Sequence, residues 1–132
     1  MRVVLDTNVL VSALLNPERA PAAIANAALD GTLTILVDNR ILFEYEDVLH
    51  RENFGFKPQD VRAFLDFFRH EGEYVSATAT NITLDDPDDL PFFEVAKTAN
   101  ADYLITGNTK HFPDEDWVVS PRNFLKTLVA RD

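Results

Sequence analysis

The sequence predicts a three-layer α/β/α sandwich built around a mainly parallel central sheet. Short apolar runs alternate along the chain with segments whose apolar residues repeat at helical spacing. This alternation implies right-handed crossovers between parallel strands, with helices covering both faces of the sheet. The runs at residues 3–5 and 33–37 are almost continuously apolar, as is expected of parallel strands that are buried on both faces.

Apolar runs and the signals that bound them place each element. The predicted strands are residues 2–6, 33–37, 74–75, 102–106 and 117–119. The predicted helices are a short one around 9–14 that stops near Asn16-Pro17, then 20–29, 39–51, 59–70, 91–99 and 121–129. Gly31 and Gly72 end two of these helices, Asp38 is the expected N-cap of the third, and residues 53–58 form a turn.

Length and composition indicate one soluble globular domain over residues 1–132. A chain of 132 residues suits a single core, and its 46% hydrophobic content is ordinary for a globular protein. No apolar run approaches the roughly 20 residues of a membrane span, and a carboxylate interrupts the start too early for a signal peptide. The absence of cysteine excludes disulfides and cysteine-bound zinc. A cytoplasmic location is expected, with no membrane partner.

The formal net charge of −10 limits the classes of function. It argues against a protein that coats nucleic acid, because nonspecific affinity comes from Lys and Arg at phosphates. It does not exclude an enzyme acting on nucleic acid, since a bound dication reverses the local charge. Strong acidity also suits a protein that docks a basic partner segment.

Asp6 is the most informative residue. It follows the first strand, at the edge where open α/β sheets bind ligands, and it begins the sequence Asp6-Thr7-Asn8. All three side chains carry oxygens that can serve a metal, its waters or the loop. The alternative is that Asp6 only caps the helix that follows.

A second acidic concentration spans residues 85–89 and contains four aspartates. Acidic residues and proline are common at helix N-termini, but the helix starting near Pro91 needs only one cap. Mutually repelling carboxylates beyond that need indicate a cation, although a solvated loop is the alternative. Gly107-Asn108 follows the strand at 102–106 and so lies at the same edge as Asp6, where a simple tight turn would also account for it.

Further acidic candidates lie in the helix after the second strand. Glu44 and Glu46 border opposite sides of its apolar stripe, and periodicity alone does not choose between them. The histidines show no metal-ligand spacing; His111 lies near the sheet edge but is weak evidence alone. Serine–histidine chemistry and glycine-rich phosphate loops lack their motifs.

Taken together, these segments resemble the PIN domain, and in particular the small prokaryotic PIN proteins of toxin–antitoxin type, similar to VapC. The resemblance is carried, in order, by Asp6-Thr7-Asn8-Val9-Leu10, by Glu44-Tyr45, by the segment from Asp88 to Ala96 and by the segment from Ala101 to Asn108. It covers nearly the whole chain. It implies a PIN-like fold and a metal-dependent endoribonuclease that hydrolyses RNA phosphodiester bonds with Mg²⁺ or Mn²⁺.

The resemblance also implies the site residues. The catalytic and metal-binding acids are Asp6, Glu44 and Asp89, and the fourth position of the family pattern, often aspartate, is Asn108 here. Asp88 and Glu94 are supporting ligands, and Thr7, Asn8 and Thr106 orient ligands or waters. The implied partners are an RNA substrate and an antitoxin protein, and homodimers are common in this type.

Two alternatives stay open. The chain could be a PIN module that has lost cleavage and only binds protein or RNA, which the amide at Asn108 favours and the three acids oppose. It could instead be a receiver-like phosphoryl-transfer domain, which would need an acidic pair after the first strand, an aspartate ending a central strand and a buried lysine. Here the first strand ends in Asp-Thr-Asn, and Lys110 is the only candidate lysine near the edge. Metal dependence of RNA cleavage separates these alternatives.

Overall fold

A computed structural model of the protein describes residues 1–130, so residues 131–132 of the predicted domain lie outside the described part. The described residues form five strands: β1 (Arg2–Leu5), β2 (Thr34–Val37), β3 (Glu73–Tyr74), β4 (Tyr103–Ile105) and β5 (Val118–Val119). They also form six α-helices: α1 (Thr7–Leu15), α2 (Ala20–Leu29), α3 (Asn39–Leu49), α4 (Pro58–Glu71), α5 (Leu90–Thr98) and α6 (Pro121–Ala130). Short 3₁₀ turns cover Glu52–Phe54, Pro87–Asp89 and Thr109–His111.

All strand pairs are parallel, and the sheet order is β3-β2-β1-β4-β5. The chain runs outward from β1 through β2 to β3, then returns to the other side of β1 to add β4 and β5. The strand order therefore reverses between β1 and β4, which is where open α/β sheets form a ligand-binding crevice. The predicted three-layer α/β/α class, with its parallel sheet, is confirmed.

The core is built from the continuously apolar strands and the apolar stripes of the helices. Val3, Val4 and Leu5 in β1 are fully buried, as is Leu104 in β4. The ring of Tyr45 in α3 is also fully buried and lies 5.6 Å from that of Phe68 in α4. Its hydroxyl donates a 2.6 Å hydrogen bond to the carbonyl of Leu5. This bond fixes α3 against the end of β1.

Local signals explain most boundaries, with small differences from expectation. The Asp38 carboxylate accepts a 2.9 Å hydrogen bond from the Ile41 amide, so the predicted N-cap is confirmed. The helix α4 begins at Pro58, one residue before the prediction, because proline suits the first helical turn. The strand β3 begins at Glu73 rather than at Tyr74, and Val75 extends its ladder with one bond to β2.

Gly72 is required between α4 and β3. A β-carbon there would collide with the Phe68 carbonyl oxygen and stand 3.0 Å from the Val37 Cγ2 atom. Its backbone conformation is ordinary, so the requirement comes from close approach. Among residues 1–130, no helix is long and apolar enough to cross a membrane.

Candidate functional site

The candidate site lies at the carboxyl ends of β1 and β4, where the strand order reverses. Asp6 follows β1, and its amide donates a 2.9 Å hydrogen bond to the carbonyl of Ile105. Thr106 follows β4, and its amide bonds to the carbonyl of Val119 at 3.0 Å. The two polar side chains are therefore held side by side by the parallel ladder.

Asp6 is buried, with 6% of its surface exposed. It occupies the N-cap position of α1, but its side chain makes no capping hydrogen bond. Its Oδ2 atom instead accepts hydrogen bonds from Thr106 Oγ1 at 2.8 Å and Asn8 Nδ2 at 3.3 Å. Burial raises the pKa of the Asp6 carboxyl, and the hydrogen bond from Thr106 opposes this rise. The capping interpretation therefore does not explain this carboxylate.

Hydrogen bonds of neighbouring polar residues connect the segment after β1 with the segment after β4. Asn8 Oδ1 accepts a 3.0 Å hydrogen bond from the Gly107 amide, and Thr106 Oγ1 accepts one of 3.0 Å from the Asn108 amide. Thr7 is buried, and its hydroxyl oxygen has no hydrogen-bond partner among the residues described. Asn8 and Thr106 thus position Asp6, while Asn108 is exposed and its side chain does not cap the turn that follows.

Two aspartates of the acidic run, Asp86 and Asp89, have different surroundings. Asp86 Oδ1 accepts a 2.9 Å hydrogen bond from the Asp88 amide and so caps the 3₁₀ turn. Asp89 precedes α5 but makes no capping bond. Its Oδ2 atom is buried and without a hydrogen-bond partner in the described chain. The nearest cationic candidate, His111 Nδ1, lies 3.7 Å away, which is too far for a hydrogen bond.

The negative charge of Asp6 affects the pKa of Asp89. Burial, followed by the negative charges of Asp6 and Asp86, raises the pKa of Asp89 to about 6, and His111 partly offsets this rise. Asp86 likewise raises the pKa of Asp6. A buried carboxylate with neighbouring carboxylates and no compensating donor is a position that favours a cation.

Glu44 lies on the side of α3 that faces the acidic run. It is half-buried, and its pKa is raised by burial and then by the charges of Asp88 and Asp47, with a smaller contribution from Asp86. Glu46 is exposed and pairs with Arg69 of α4 at 2.8 Å. Asp88 is exposed. Glu44 thus lines one depression together with Pro87 and Asp88, whereas Glu46 is engaged by Arg69, so Glu44 stays the predicted site residue of this helix.

Glu94 is buried in α5 but is already engaged. It accepts a 2.7 Å hydrogen bond from Arg40 Nη1 and another of 2.7 Å from the Thr80 amide. Burial alone would raise the pKa of its carboxyl, but these hydrogen bonds, first the one from Arg40, hold the pKa below its ordinary value. Glu94 therefore fastens α3 and the segment before the acidic run to α5.

The donor set suits a hard cation such as Mg²⁺. Asp6, Asp86, Asp89 and Glu44 offer only carboxylate oxygens, and the buried Asp89 Oδ2 lacks a partner. Within residues 1–130, no three His, Asp or Glu side chains stand close enough together to form a ready-made metal cluster. Mg²⁺ usually keeps several waters and uses one or two carboxylates together with substrate phosphate. The residues therefore fit a metal held partly by its substrate.

Fold and site together define an α/β protein with acidic side chains near the switch point of a parallel sheet. The family model described as PIN domain matches residues 2–110, and the chain belongs to the PIN domain family. PIN domains are generally nucleases and generally use divalent metal ions. No curated protein matches the sequence.

Two solved structures share the fold. One is VapBC2 from Rickettsia felis bound to a DNA fragment from their promoter: 19% identity, 90% of this chain and 97% of that chain covered, TM-score 0.60. The other is PAE2754 from Pyrobaculum aerophilum: 14% identity, 98% of this chain and 89% of that chain covered, TM-score 0.61. The expected resemblance to VapC-like PIN proteins is confirmed at the level of the family and the fold.

Two residues near the site were not among the predicted ligands. Asp86 contributes negative potential at Asp6, Glu44 and Asp89, and His111 stands beside Asp89. Asp86 belongs to the acidic run at residues 85–89 and was therefore visible in the sequence. No local pattern shows which aspartate of that run caps a helix and which binds a metal. His111 was visible only as a residue near the sheet edge.

Proposed function

We propose that this protein is a metal-dependent endoribonuclease of the VapC type, the toxin of a toxin–antitoxin pair. The observation that carries the proposal is the Asp89 carboxylate, whose Oδ2 atom is buried without a partner at the edge occupied by Asp6. A structural cap would have used that oxygen on the helix. A carboxylate left in this state fits a role that is completed by a dication and a phosphate.

The chain's own residues divide the work. Asp6 and Asp89 hold the metal, Mg²⁺ or Mn²⁺, and Glu44 with Asp88 extends the negative field toward the open side. Thr106 and Asn8 fix the orientation of Asp6 through hydrogen bonds of 2.8 and 3.3 Å. When bound, the metal lowers the pKa of a water nucleophile and stabilises charge on the phosphoryl oxygens. This chemistry needs no serine or cysteine nucleophile.

The roles of Thr7, Asn108 and Glu94 differ in this proposal. The unpartnered hydroxyl of Thr7 serves a water of the site, and the exposed Asn108 offers an amide oxygen where the family pattern often has a carboxylate. Glu94 supports the site indirectly by holding Arg40 and Thr80. Its ion pair leaves it poorly suited to be a direct ligand.

RNA cleavage with matched variants tests the proposal. A labelled single-stranded RNA pool should be cut with Mn²⁺ or Mg²⁺ and left intact with EDTA. Asp6→Asn, Asp89→Asn and Glu44→Gln should each lower the rate by at least ~100-fold, in keeping with the loss of a group that positions charge in the transition state. Glu46→Gln is the control, because Glu46 lies on the same helix but pairs with Arg69.

We expect cleavage to be lost in Glu44→Gln and retained in Glu46→Gln. Loss of activity in Glu46→Gln equal to that in Glu44→Gln would show that α3 contributes structure rather than chemistry. Metal-independent cleavage would overturn the proposal.

An antitoxin partner and a homodimer are part of the same proposal. The acidic edge and the net charge of −10 suit a partner segment with basic side chains. Phe43, beside Glu44, is 71% exposed and could be covered by such a partner. Expression should slow growth, and co-expression of a small neighbouring DNA-binding protein should restore it. A monomer in light scattering together with unaffected growth would contradict the toxin assignment.

A second candidate is a PIN module that binds without cleaving. It is favoured by the amide at Asn108 and by the lack of a three-ligand cluster among residues 1–130. Calorimetry with Mn²⁺ separates the two functions, because a module that has lost its metal shows no heat of binding that depends on Asp6.

A further inference from the structure

An open groove beside the acidic site is lined by no carboxylate of the residues that the structure describes. Its volume is about 580 Å³, and its polar lining comes from Ser12, Asn16, Arg19, Ser120 and Arg122. None of the Asp and Glu residues within 1–130 belongs to this lining, although the chain carries 22 acidic residues. The groove is therefore a cationic region on a strongly acidic protein.

The two arginines of the groove are available for a ligand. Of the arginines within residues 1–130, four form ion pairs: Arg2, Arg40, Arg51 and Arg69. The other three, Arg19, Arg62 and Arg122, form none with the residues that the structure describes, and all three are exposed. Two of these three converge on the same groove from sequence positions about a hundred residues apart.

The fold explains the convergence. Arg19 immediately precedes α2, Arg122 lies in the first turn of α6, and α6 packs on α2. Both helices are ten residues long, so the positive ends of their dipoles add to the guanidinium charges. Arginine presents a planar fork of donors that matches phosphate oxygens.

The groove extends to residues that hold the acidic site. A smaller depression of about 290 Å³ shares Ser12, Gly107 and Pro121 with the groove, and it is also lined by Asn8, whose amide donates a hydrogen bond to Asp6. Gly107 lines both cavities and is the residue directly after Thr106, whose hydroxyl holds Asp6. A chain that leaves the acidic site across Gly107 therefore enters the arginine groove.

We propose that this groove binds the phosphates of a single-stranded nucleic acid next to the bond that is cut, with Arg19 and Arg122 as positioning residues. The inference rests on the proposed nuclease function for its substrate, but the groove's own charge selects the ligand. The acidic site repels a phosphate until a cation is bound, whereas the groove attracts one without a metal. The groove thus supplies affinity that the acidic edge lacks.

Salt-dependent binding tests the groove apart from cleavage. The probe is a fluorescein-labelled single-stranded RNA of about 12 nucleotides, within the range of sites for single strands. Anisotropy is measured in EDTA at several salt concentrations for the wild type, Arg19→Ala/Arg122→Ala and Arg62→Ala. Losing two phosphate contacts should weaken binding roughly tenfold and reduce the slope of log K against log salt by about 1.4.

Two further variants separate charge from structure. Arg62→Ala removes an unpaired, exposed arginine of α4 outside the groove and should leave both the slope and KM unchanged. Arg19→Lys/Arg122→Lys keeps the charge and should retain most of the slope. In cleavage with Mn²⁺, the double alanine variant should raise KM while kcat stays close to the wild-type value.

The outcomes distinguish this inference from the proposed function. If no RNA is cut but the slope still depends on Arg19 and Arg122, the nuclease proposal fails and the groove stands as a nucleic-acid site. If the double variant matches Arg62→Ala in slope and KM, the groove inference is overturned even if RNA is cleaved. Tighter binding of a polyglutamate peptide than of RNA would overturn it in favour of an acidic protein segment.

Discussion

Replacement of the Asp89 carboxylate by an amide is the most informative perturbation of the site. Asp89→Asn keeps the side chain's shape and removes its charge. The side chain is 15% exposed, and its Oδ2 atom has no hydrogen-bond partner within residues 1–130. In the metal-free protein this charge opposes folding, so we expect the variant to be the more stable form at neutral pH.

The magnitude follows from the pKa of Asp89, which burial and the charge of Asp6 raise from 3.8 to about 6. At 1.36 kcal/mol per pKa unit, a shift of about two units corresponds to an upper limit of about 3 kcal/mol. The folded-state pKa lies above the unfolded value, so the unfolded chain binds fewer protons between these two values. The wild type therefore loses stability as pH rises from about 4 through about 6, and the loss is complete above that window.

Urea unfolding in EDTA measures this effect. At pH 7.5 the free energy of unfolding of Asp89→Asn should exceed that of the wild type by about 1 to 3 kcal/mol, and the difference should shrink toward zero near pH 4. Added Mn²⁺ should stabilise the wild type more than the variant, because the metal binds only the folded site. Asp85→Asn, in the exposed part of the same acidic run, should change stability by less than about 0.5 kcal/mol.

If metal-free Asp89→Asn is less stable than the wild type at pH 7.5, the charge of Asp89 stabilises the fold without a metal, and the argument for a cation site loses its main support.

Three further predictions address the metal, the site's scaffold and the fold. Asn108→Asp adds a carboxylate at the exposed edge and should tighten Mn²⁺ binding in the free protein; unchanged affinity or two tight sites in the wild type, measured by calorimetry, would contradict a role for this position. Tyr45→Phe removes the buried 2.6 Å hydrogen bond to the Leu5 carbonyl and should cost about 1 to 3 kcal/mol in urea unfolding, whereas a loss below ~0.5 kcal/mol would show that the carbonyl finds another donor. Gly72→Ala drives a β-carbon into the Phe68 carbonyl and should lower the melting temperature by several degrees or more; a neutral effect in calorimetry would show that the turn shifts freely.

The sequence alone determined the elements and the edge at which the site lies. Alternating apolar runs and helical stripes are local patterns, so the parallel sheet, the strand ends at Asp6 and Asn108 and the Asp38 cap were all predictable. Parallel strands present their carboxyl ends at one edge of the sheet, so the pattern alone places Asp6 and Gly107 at the same edge. The strand boundaries shifted by a residue or two, because terminal pairs depend on the neighbouring strand.

The surroundings of each acidic side chain depend on tertiary contacts that no local pattern contains. Helical periodicity left Glu44 and Glu46 equivalent, and the contact of α3 with α4 separates them by pairing Glu46 with Arg69. Within the acidic run, Asp86 caps the 3₁₀ turn by accepting a hydrogen bond from the Asp88 amide. The Oδ2 atom of Asp89 accepts none from residues 1–130. Such assignments depend on which backbone donors are already satisfied, and a linear pattern does not contain that information.

The arginine groove shows the same division most clearly. Arg19 and Arg122 stand about a hundred residues apart, and no motif relates them. They line one groove because α6 packs on α2, and neither guanidinium forms an ion pair with a residue within 1–130. Neither the rotation of these helices nor the choice of which charges find partners can be read from local patterns, because both follow from long-range contacts between elements.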